Sequence, residues 1–333
     1  MSKIKVAVIG CGVICHNHLI PLFNMPNIEI AAVCDIKPQK AEAVAKEFGC
    51  KYYTDYEEMI EKERPDSVHV CLPHYLHAKA AVYCMQHGAD VLCEKPMDIT
   101  LAAAKEMARV HEETGKKLGI IFQNRYNSGS VFLKSKLDAG KLGKVLGVTA
   151  EMMWLRDQSY YDLDAWRGKW KTEGGGVLIN QSIHTLDLMR YFAGGEVVSV
   201  SASAAHRGDT TVEVEDVSEG RVSFSNGVTA IYYFTNNSAI FLPPRIHVLG
   251  KNGHAVVTGS DAVIHWNDGR TEHSPHEDAI KIGKDCYGGS HAFQIADFYG
   301  ENGEARAQFM LDEALKTQAL LEEIYNCSGV RKL

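Results

Sequence analysis

The sequence predicts two domains. Residues 1–122 form an α/β domain with a mostly parallel sheet, and residues 123–333 an α+β domain with a mostly antiparallel one. Two patterns predict this. In the first third, short apolar runs alternate with segments of helical period, as strands joined by helical crossovers require. Later, Asn226-Gly227, Asn252-Gly253 and Asp268-Gly269 each separate two β-prone runs. Such pairs tolerate the positive φ of a two-residue hairpin turn.

In the first domain, residues 5–9, 28–34, 52–53, 67–72, 89–93 and 117–122 read as strands. Residues 38–48, 56–63, 76–86 and 99–114 read as helices, with Gly49 and Gly88 closing two of them. In the second, 130–139 and 176–192 read as helices and 145–155 as a long strand. The hairpins pair 221–225 with 228–234, 245–249 with 254–258, and 262–266 with 270–273. Helices at 290–299 and 311–325 follow, and the domain boundary falls near residue 123. No repeat or low-complexity stretch interrupts the chain.

Gly10-Cys11-Gly12-Val13-Ile14-Cys15 sits between the first strand and a helix start. Gly10 permits a tight turn, and Gly12 lets a pyrophosphate approach the backbone. The helix N-terminus offers N–H groups and partial positive charge. Cys15 stands where a third glycine is usual and is small enough to pack there. Asp35 ends the next apolar run, about 20 residues on, where an acid holds a ribose 2′-hydroxyl. The set reads as a Rossmann dinucleotide site. Asp35 favours NAD over NADP because a carboxylate repels a 2′-phosphate, a repulsion that Lys37 softens. Asp35 also suits a helix cap.

Length and composition set bounds. With 333 residues there is room for two domains, and 45% hydrophobic with 23% charged residues is ordinary for a globular protein. The net charge of −7, without a basic block, argues against nucleic acid or an anionic membrane as partner. No run is long enough to span a bilayer, and the first strand begins too early for a signal peptide. The ending Arg331-Lys332-Leu333 is a poor match to a peroxisomal tripeptide. Nine cysteines, seven before residue 94 and none in a Cys-x-x-Cys pair, fit buried reduced thiols in the cytoplasm. They do not suggest a disulfide framework or a metal site.

Three segments carry candidate chemistry. Glu94-Lys95-Pro96 ends a strand where ligands bind in such sheets. Lys95 there either hydrogen-bonds a substrate oxygen or is a solvated lysine before a turn. Gly174-Gly175-Gly176 precedes a helix with Asn180, His184 and Asp187 on one face. His184 either takes a carbinol proton or is a core histidine bonded to Asp187. The glycines let a ligand or backbone come close. The loop from Trp154 to Lys171 holds Arg156, Tyr160, Tyr161, Trp166, Arg167 and Trp170. It is either a pocket wall, with Tyr161 or Trp166 stacking on a sugar ring and Arg156 or Arg167 gripping an anion, or a subunit interface.

Together, Gly10-Cys-Gly, Asp35, Leu72-Pro73 with His77, Glu94-Lys95-Pro96 and the run Gly174-Gly-Gly-Val-Leu-Ile-Asn-Gln-Ser-Ile-His184-Thr-Leu-Asp187 resemble the Gfo/Idh/MocA family of glucose–fructose oxidoreductases and inositol dehydrogenases. The resemblance covers the whole chain. It implies a large open sheet in the second domain, bound NAD(P), a polyhydroxylated substrate and a homodimer or homotetramer. Lys95 would be the catalytic lysine and His184 the general acid or base. Cofactor contacts would come from Gly10, Gly12, Val13, Ile14, Asp35, Ile36, Leu72, Pro73, His77, Glu94, Lys95 and Gln123. Asn180 stands where many members carry Asp. An amide is no base, so Asn180 is expected to orient the substrate.

The expected activity is NAD-dependent oxidation of a secondary alcohol of a sugar, sugar derivative or cyclitol, with no metal. Two alternatives are a lyase or glycosidase that keeps its NAD and passes through a 3-keto sugar, and a non-catalytic NAD-binding regulator. Absence of net NADH marks the first; a sensor needs neither Lys95 nor His184.

Overall fold

A computed structural model describes residues 3–275 and 290–331. Cys286 and the terminal Lys332-Leu333 lie outside the described residues. The chain forms two compact units, Met1–Ile121 with His291–Leu315, and Phe122–Ser290 with Lys316–Leu333. The segment His291–Leu315 thus belongs with the first unit, a return that a division into 1–122 and 123–333 did not include.

The first unit is built on six parallel strands: β1 (Ile4–Ile9), β2 (Ile28–Cys34), β3 (Lys51–Tyr53), β4 (Ser67–Val70), β5 (Asp90–Cys93) and β6 (Leu118–Ile120). Their spatial order is β3-β2-β1-β4-β5-β6. The chain runs one way from β1 and then the other, so the order reverses between β1 and β4. A ligand crevice opens at such a reversal, beyond the carboxyl ends. Val6, Ala7 and Val8 have no exposure, as expected of a strand covered on both faces.

The crossovers are α1 (Cys15–Phe23), α2 (Pro38–Phe48), α3 (Tyr56–Glu63), α4 (His77–Gln86) and α5 (Leu101–Thr114). Asp55 starts α3 by accepting from Glu57 N at 2.8 Å, and Thr100 starts α5 by accepting from Ala103 N at 3.2 Å. Helix α10 (Ser290–Tyr299) closes the far edge of the sheet. Its Gln294 donates to Ile120 O at 2.7 Å, and Phe298 packs where Gly119 has no side chain.

The second unit carries eight strands in the order β14-β13-β12-β11-β7-β10-β9-β8. They are β7 (Val145–Met153), β8 (Val197–Ala205), β9 (Val217–Phe224), β10 (Thr229–Thr235), β11 (Arg245–Gly250), β12 (Gly253–Thr258), β13 (Asp261–Trp266) and β14 (Thr271–His273). All pair antiparallel except β10 with β7. The three hairpins stand where the Asn-Gly and Asp-Gly pairs place them. Strand β8 has no counterpart in the sequence reading, because its Ser/Ala alternation gives almost no hydrophobic contrast.

Helix α9 (Ile183–Ala193) lies against β7 and β11, over Val148, Ala150, Ile246 and Val248, and α6 (Ser128–Asp138) lies against β12 and β13. The opposite face shows Ile231, Tyr233 and Leu249, each more than 40% exposed. Short helices α7 (Gln158–Asp162) and α8 (Trp170–Glu173) lie in the aromatic loop, and α11 (Gly303–Ser328) ends the described chain. Among the described residues no helix is long and apolar enough to cross a membrane.

The helix expected over 176–192 is broken. A wide turn spans Val177–Gln181, and α9 starts only at Ile183. Glu215 caps the start of that turn. Its buried carboxylate accepts from Gly176 N at 2.9 Å, Leu178 N at 3.1 Å and Tyr325 Oη at 3.0 Å. A Cβ on Gly176 would lie 1.9 Å from Glu215 O, and one on Gly175 1.9 Å from Tyr325 Oη. These glycines therefore admit the protein's own backbone and ring.

Burial pushes the Glu215 carboxyl up to about 7, against the hydrogen bonds from Gly176 and Leu178. The folded value exceeds the unfolded one, near 4.5, so the stabilisation is full below that value and fades as pH rises through 7. Glu215→Gln removes this titration. Its Tm deficit relative to wild type should shrink between pH 5 and pH 8; a deficit constant across that range counts against the assignment.

Candidate active site

In the first unit the glycine turn has its expected geometry. Gly10 has φ +98°, donates to Cys34 O at 2.7 Å, and a Cβ there would lie 2.2 Å from Cys71 O. Only glycine fits. At Gly12 a Cβ would meet nothing within 4 Å, so the main chain is open to an incoming phosphate. Cys15 is fully buried in the apolar core with Leu19 and Cys71, and burial pushes its thiol up to about 12, leaving it unreactive.

Asp35 is half-buried, and its two oxygens accept from Cys11 N at 2.9 Å and Lys37 N at 2.8 Å. It does not cap α2, whose first turn has no side-chain cap. Two main-chain donors instead aim a carboxylate whose oxygens can each accept further bonds. Val13 and Ile36, at the ends of β1 and β2, stand 95% and 84% exposed, which leaves apolar groups available to a nucleotide; Ile14 is half-buried. The open glycine, the aimed carboxylate and the start of α1 fit an NAD pyrophosphate and ribose.

Beyond β4 and β5 the main chain does more than the side chains. Leu72 and Pro73 are half-buried after β4. His77 is wholly buried, with one ring nitrogen 2.7 Å from Leu72 O and the other 2.7 Å from Pro96 O. It ties the two strand-end loops together, so the loops, and not this ring, are left to meet a cofactor. Lys95 is half-buried after β5, joined to Pro96 by a cis peptide.

Glu94 also departs from the sequence expectation. Its side chain turns inward, 6% exposed, so only its main chain is at the strand end. Oε1 lies 3.0 Å from His18 Nε2 and 3.2 Å from His291 Nε2, and Oε2 accepts from Lys95 N at 3.2 Å. Burial opposes the charge, but the bonds from His18 and His291 outweigh it and hold the carboxyl well below its usual range. An ionised carboxylate only accepts, so His18 carries its proton on Nε2. Burial keeps His18 and His69 below their ordinary value and neutral. His18 Nδ1 then accepts from His69 Nδ1 at 2.8 Å, and His69 Nε2 lies 2.9 Å from Tyr299 Oη. Three side chains here, His18, Glu94 and His291, have metal-ligand chemistry and converge. Hydrogen bonding accounts for their approach.

In the second unit His184 lies in the first turn of α9, 5% exposed and edge-on to Phe122 at 5.7 Å. Asp187 is committed elsewhere: it accepts from Arg125 at 2.7 and 2.8 Å and from Thr317 at 2.6 Å. The break at Gln181 puts Asn180 outside α9, so the expected single helical face keeps only His184 and Asp187. Gln123 is buried, and its Oε1 has no hydrogen-bond partner among the described residues.

The aromatic loop divides between core and surface. Trp154, Tyr161 and Trp170 are buried; Trp154 stacks on Phe241 at 5.0 Å. Tyr161 therefore has no open face for a sugar ring, contrary to the sequence expectation. Trp166, Arg156 and Arg167 are half-buried. Both guanidinium groups lie over the Tyr160 ring, at 4.9 and 4.5 Å. Glu173 and Glu215 escaped the sequence reading. A lone acid beside a glycine run was the signal for Glu173; Glu215 left none.

Comparison with known proteins bears on the family and the fold. Residues 4–122 match the model of the oxidoreductase family with an NAD-binding Rossmann fold, and residues 131–256 match the GFO/IDH/MocA C-terminal domain. D-glucoside 3-dehydrogenase of Escherichia coli (strain K12) is 30% identical over 242 residues, 68% of each chain. Inositol 2-dehydrogenase of Rhizobium meliloti (strain 1021) is 27% identical over 281 residues, 82% of each chain. The WlbA dehydrogenase of Bordetella pertussis, solved with NADH and UDP-GlcNAcA, superposes with a TM-score of 0.84 at 27% identity, covering 98% of this chain and 97% of that one. The chain belongs to the Gfo/Idh/MocA family of oxidoreductases and carries that family's NAD-binding Rossmann domain.

Proposed function

We propose that this protein is an NAD-dependent dehydrogenase that oxidises, or in reverse restores, one secondary alcohol of a sugar, sugar derivative or cyclitol. The observation that carries the reading is Lys95. It stands half-buried at the carboxyl end of β5, on the same sheet edge as the glycine turn, on a backbone anchored by Glu94. Gly10, Gly12, Val13, Ile14, Asp35, Ile36, Leu72 and Pro73 would hold NAD, which when bound accepts the hydrogen and electron pair leaving the carbinol carbon.

Lys95 would donate a hydrogen bond to the carbinol oxygen, steadying it as its bond order to carbon rises. His184 would take the hydroxyl proton as general base and return it in the reverse direction. Asn180 would orient a neighbouring hydroxyl. Arg156 and Arg167 would serve an anionic group where the sugar carries one, in keeping with the acidic nucleotide sugar bound by the WlbA structure. Ile231, Tyr233 and Leu249, on the uncovered sheet face, would join copies of the chain into a homodimer or homotetramer.

Asp35 should make NAD bind more tightly than NADP, and Asp35→Ser should narrow or reverse that order in titrations of both. Equal or tighter NADP binding by wild type would sink the assignment. Lys95→Ala and His184→Ala should each lower kcat by roughly 10²–10⁴-fold in an NADH-absorbance assay over a sugar and cyclitol panel. Neither change should unfold the protein or abolish NAD binding. Full activity in His184→Ala, or no net NADH from wild type with any alcohol, rules out the dehydrogenase reading. Tyr233→Glu, with Ile231→Glu, should reduce the mass seen by light scattering; an unchanged mass excludes this face as the contact.

A further inference from the structure

Asn180, which the proposed function gives the orienting of a substrate hydroxyl, has a buried carboxyl group beside it. Glu173, the last residue of α8, has no exposed surface. Its Oε2 accepts from Gly168 N, and its Oε1 lies 2.5 Å from Asn180 Nδ2. The same Nδ2 lies 3.3 Å from Tyr160 Oη. That phenol oxygen is also approached by Arg167 Nη1 and by Gln181 Nε2 at 3.0 Å. Gln181 Oε1 in turn accepts from Asn236 Nδ2 at 2.9 Å.

The two ends of an amide look alike in shape but not in chemistry. The amide presents its nitrogen to Glu173 Oε1, while Gly168 N occupies Oε2. The other polar atom of Asn180 is its carbonyl oxygen, which only accepts. We propose that Glu173 is a positioning residue: it fixes the amide of Asn180 so that the carbonyl oxygen accepts a hydrogen bond from a substrate hydroxyl. The inference rests on the dehydrogenase reading for the identity of the substrate. It adds a selection rule, since a substrate with a hydroxyl at that place is held and one with an acceptor or no polar group there is not.

The test compares wild type, Glu173→Gln, Asn180→Ala, the pair Glu173→Gln with Asn180→Ala, and the exchange Glu173→Gln with Asn180→Asp. Each is assayed for NADH formation with the best alcohol of the panel, for NADH binding by fluorescence, and for Tm. Glu173→Gln lets the amide turn either way. KM should rise about tenfold, kcat should stay within about threefold, and the Kd for NADH should not move. Asn180→Ala should raise KM as much, and the pair should be no worse than Asn180→Ala alone, in KM and in Tm.

The exchange again sets one amide N–H against one carboxylate, and should bring Tm and KM back toward wild type. Glu173→Gln with wild-type KM, multiplying effects in the pair, or an exchange no better than Glu173→Gln would overturn the proposal. Should Glu173→Gln fail to fold, a folded exchange with near-normal KM supports the proposal and an unfolded one defeats it. If wild type oxidises no alcohol, the dehydrogenase reading falls. The anchoring is then judged on Tm alone, where additive losses reject it and non-additive losses sustain it.

Discussion

A carboxylate taken out of water must gather hydrogen-bond donors or stay protonated, and that requirement shapes both units. In the first, Glu94 collects His18, His291 and the N–H of Lys95, which fixes the backbone of the turn on which the lysine stands. In the second, Glu215 takes the N–H groups of Gly176 and Leu178 and holds the start of the turn that precedes α9. Asp187 holds Arg125 and Thr317 behind α9, and Glu173 holds Asn180. Each of these acids fixes the position of the groups that donate to it.

The glycines divide along the same line between ligand and protein. Gly12 faces open space, as a residue must if a phosphate is to reach the main chain. Gly10, Gly175 and Gly176 face Cys71 O, Tyr325 Oη and Glu215 O, where any side chain would collide. A glycine-rich motif thus marks close approach without naming what approaches. In the nucleotide turn Gly10 meets a strand end and Gly12 leaves space open; before His184 the partner is the protein itself.

The histidine network under Lys95 shows how a run of neutral donors can be ordered without charge. Once Glu94 is ionised, the proton positions on His18 and His69 follow one from the other. Burial disfavours a charged imidazole throughout, and so protects that order. The residues come from α1, β4, β5 and α10, so the strand-end turn is held by helices on both sides of the sequence.

Much of the architecture was legible in the chain itself. Alternating strands and helices, the Gly10–Cys15 turn with Asp35, and the three Asn-Gly or Asp-Gly hairpins depend on local backbone preference and periodicity, which a sequence carries in full. Strand β8 did not show, because its small residues give no periodic contrast, and the helix over 176–192 was overread because its first part, Val177–Gln181, winds wider than an α-helix and ends before α9. The inward turn of Glu94, the loop-tying role of His77 and the burial of Tyr161 were decided only by tertiary packing. So was the contact of Glu173 with Asn180. Sequence determined which residue types stand at the strand ends and before α9. Which way a side chain points depends on what the rest of the fold places beside it, and the donors that a buried carboxylate needs come from far along the chain.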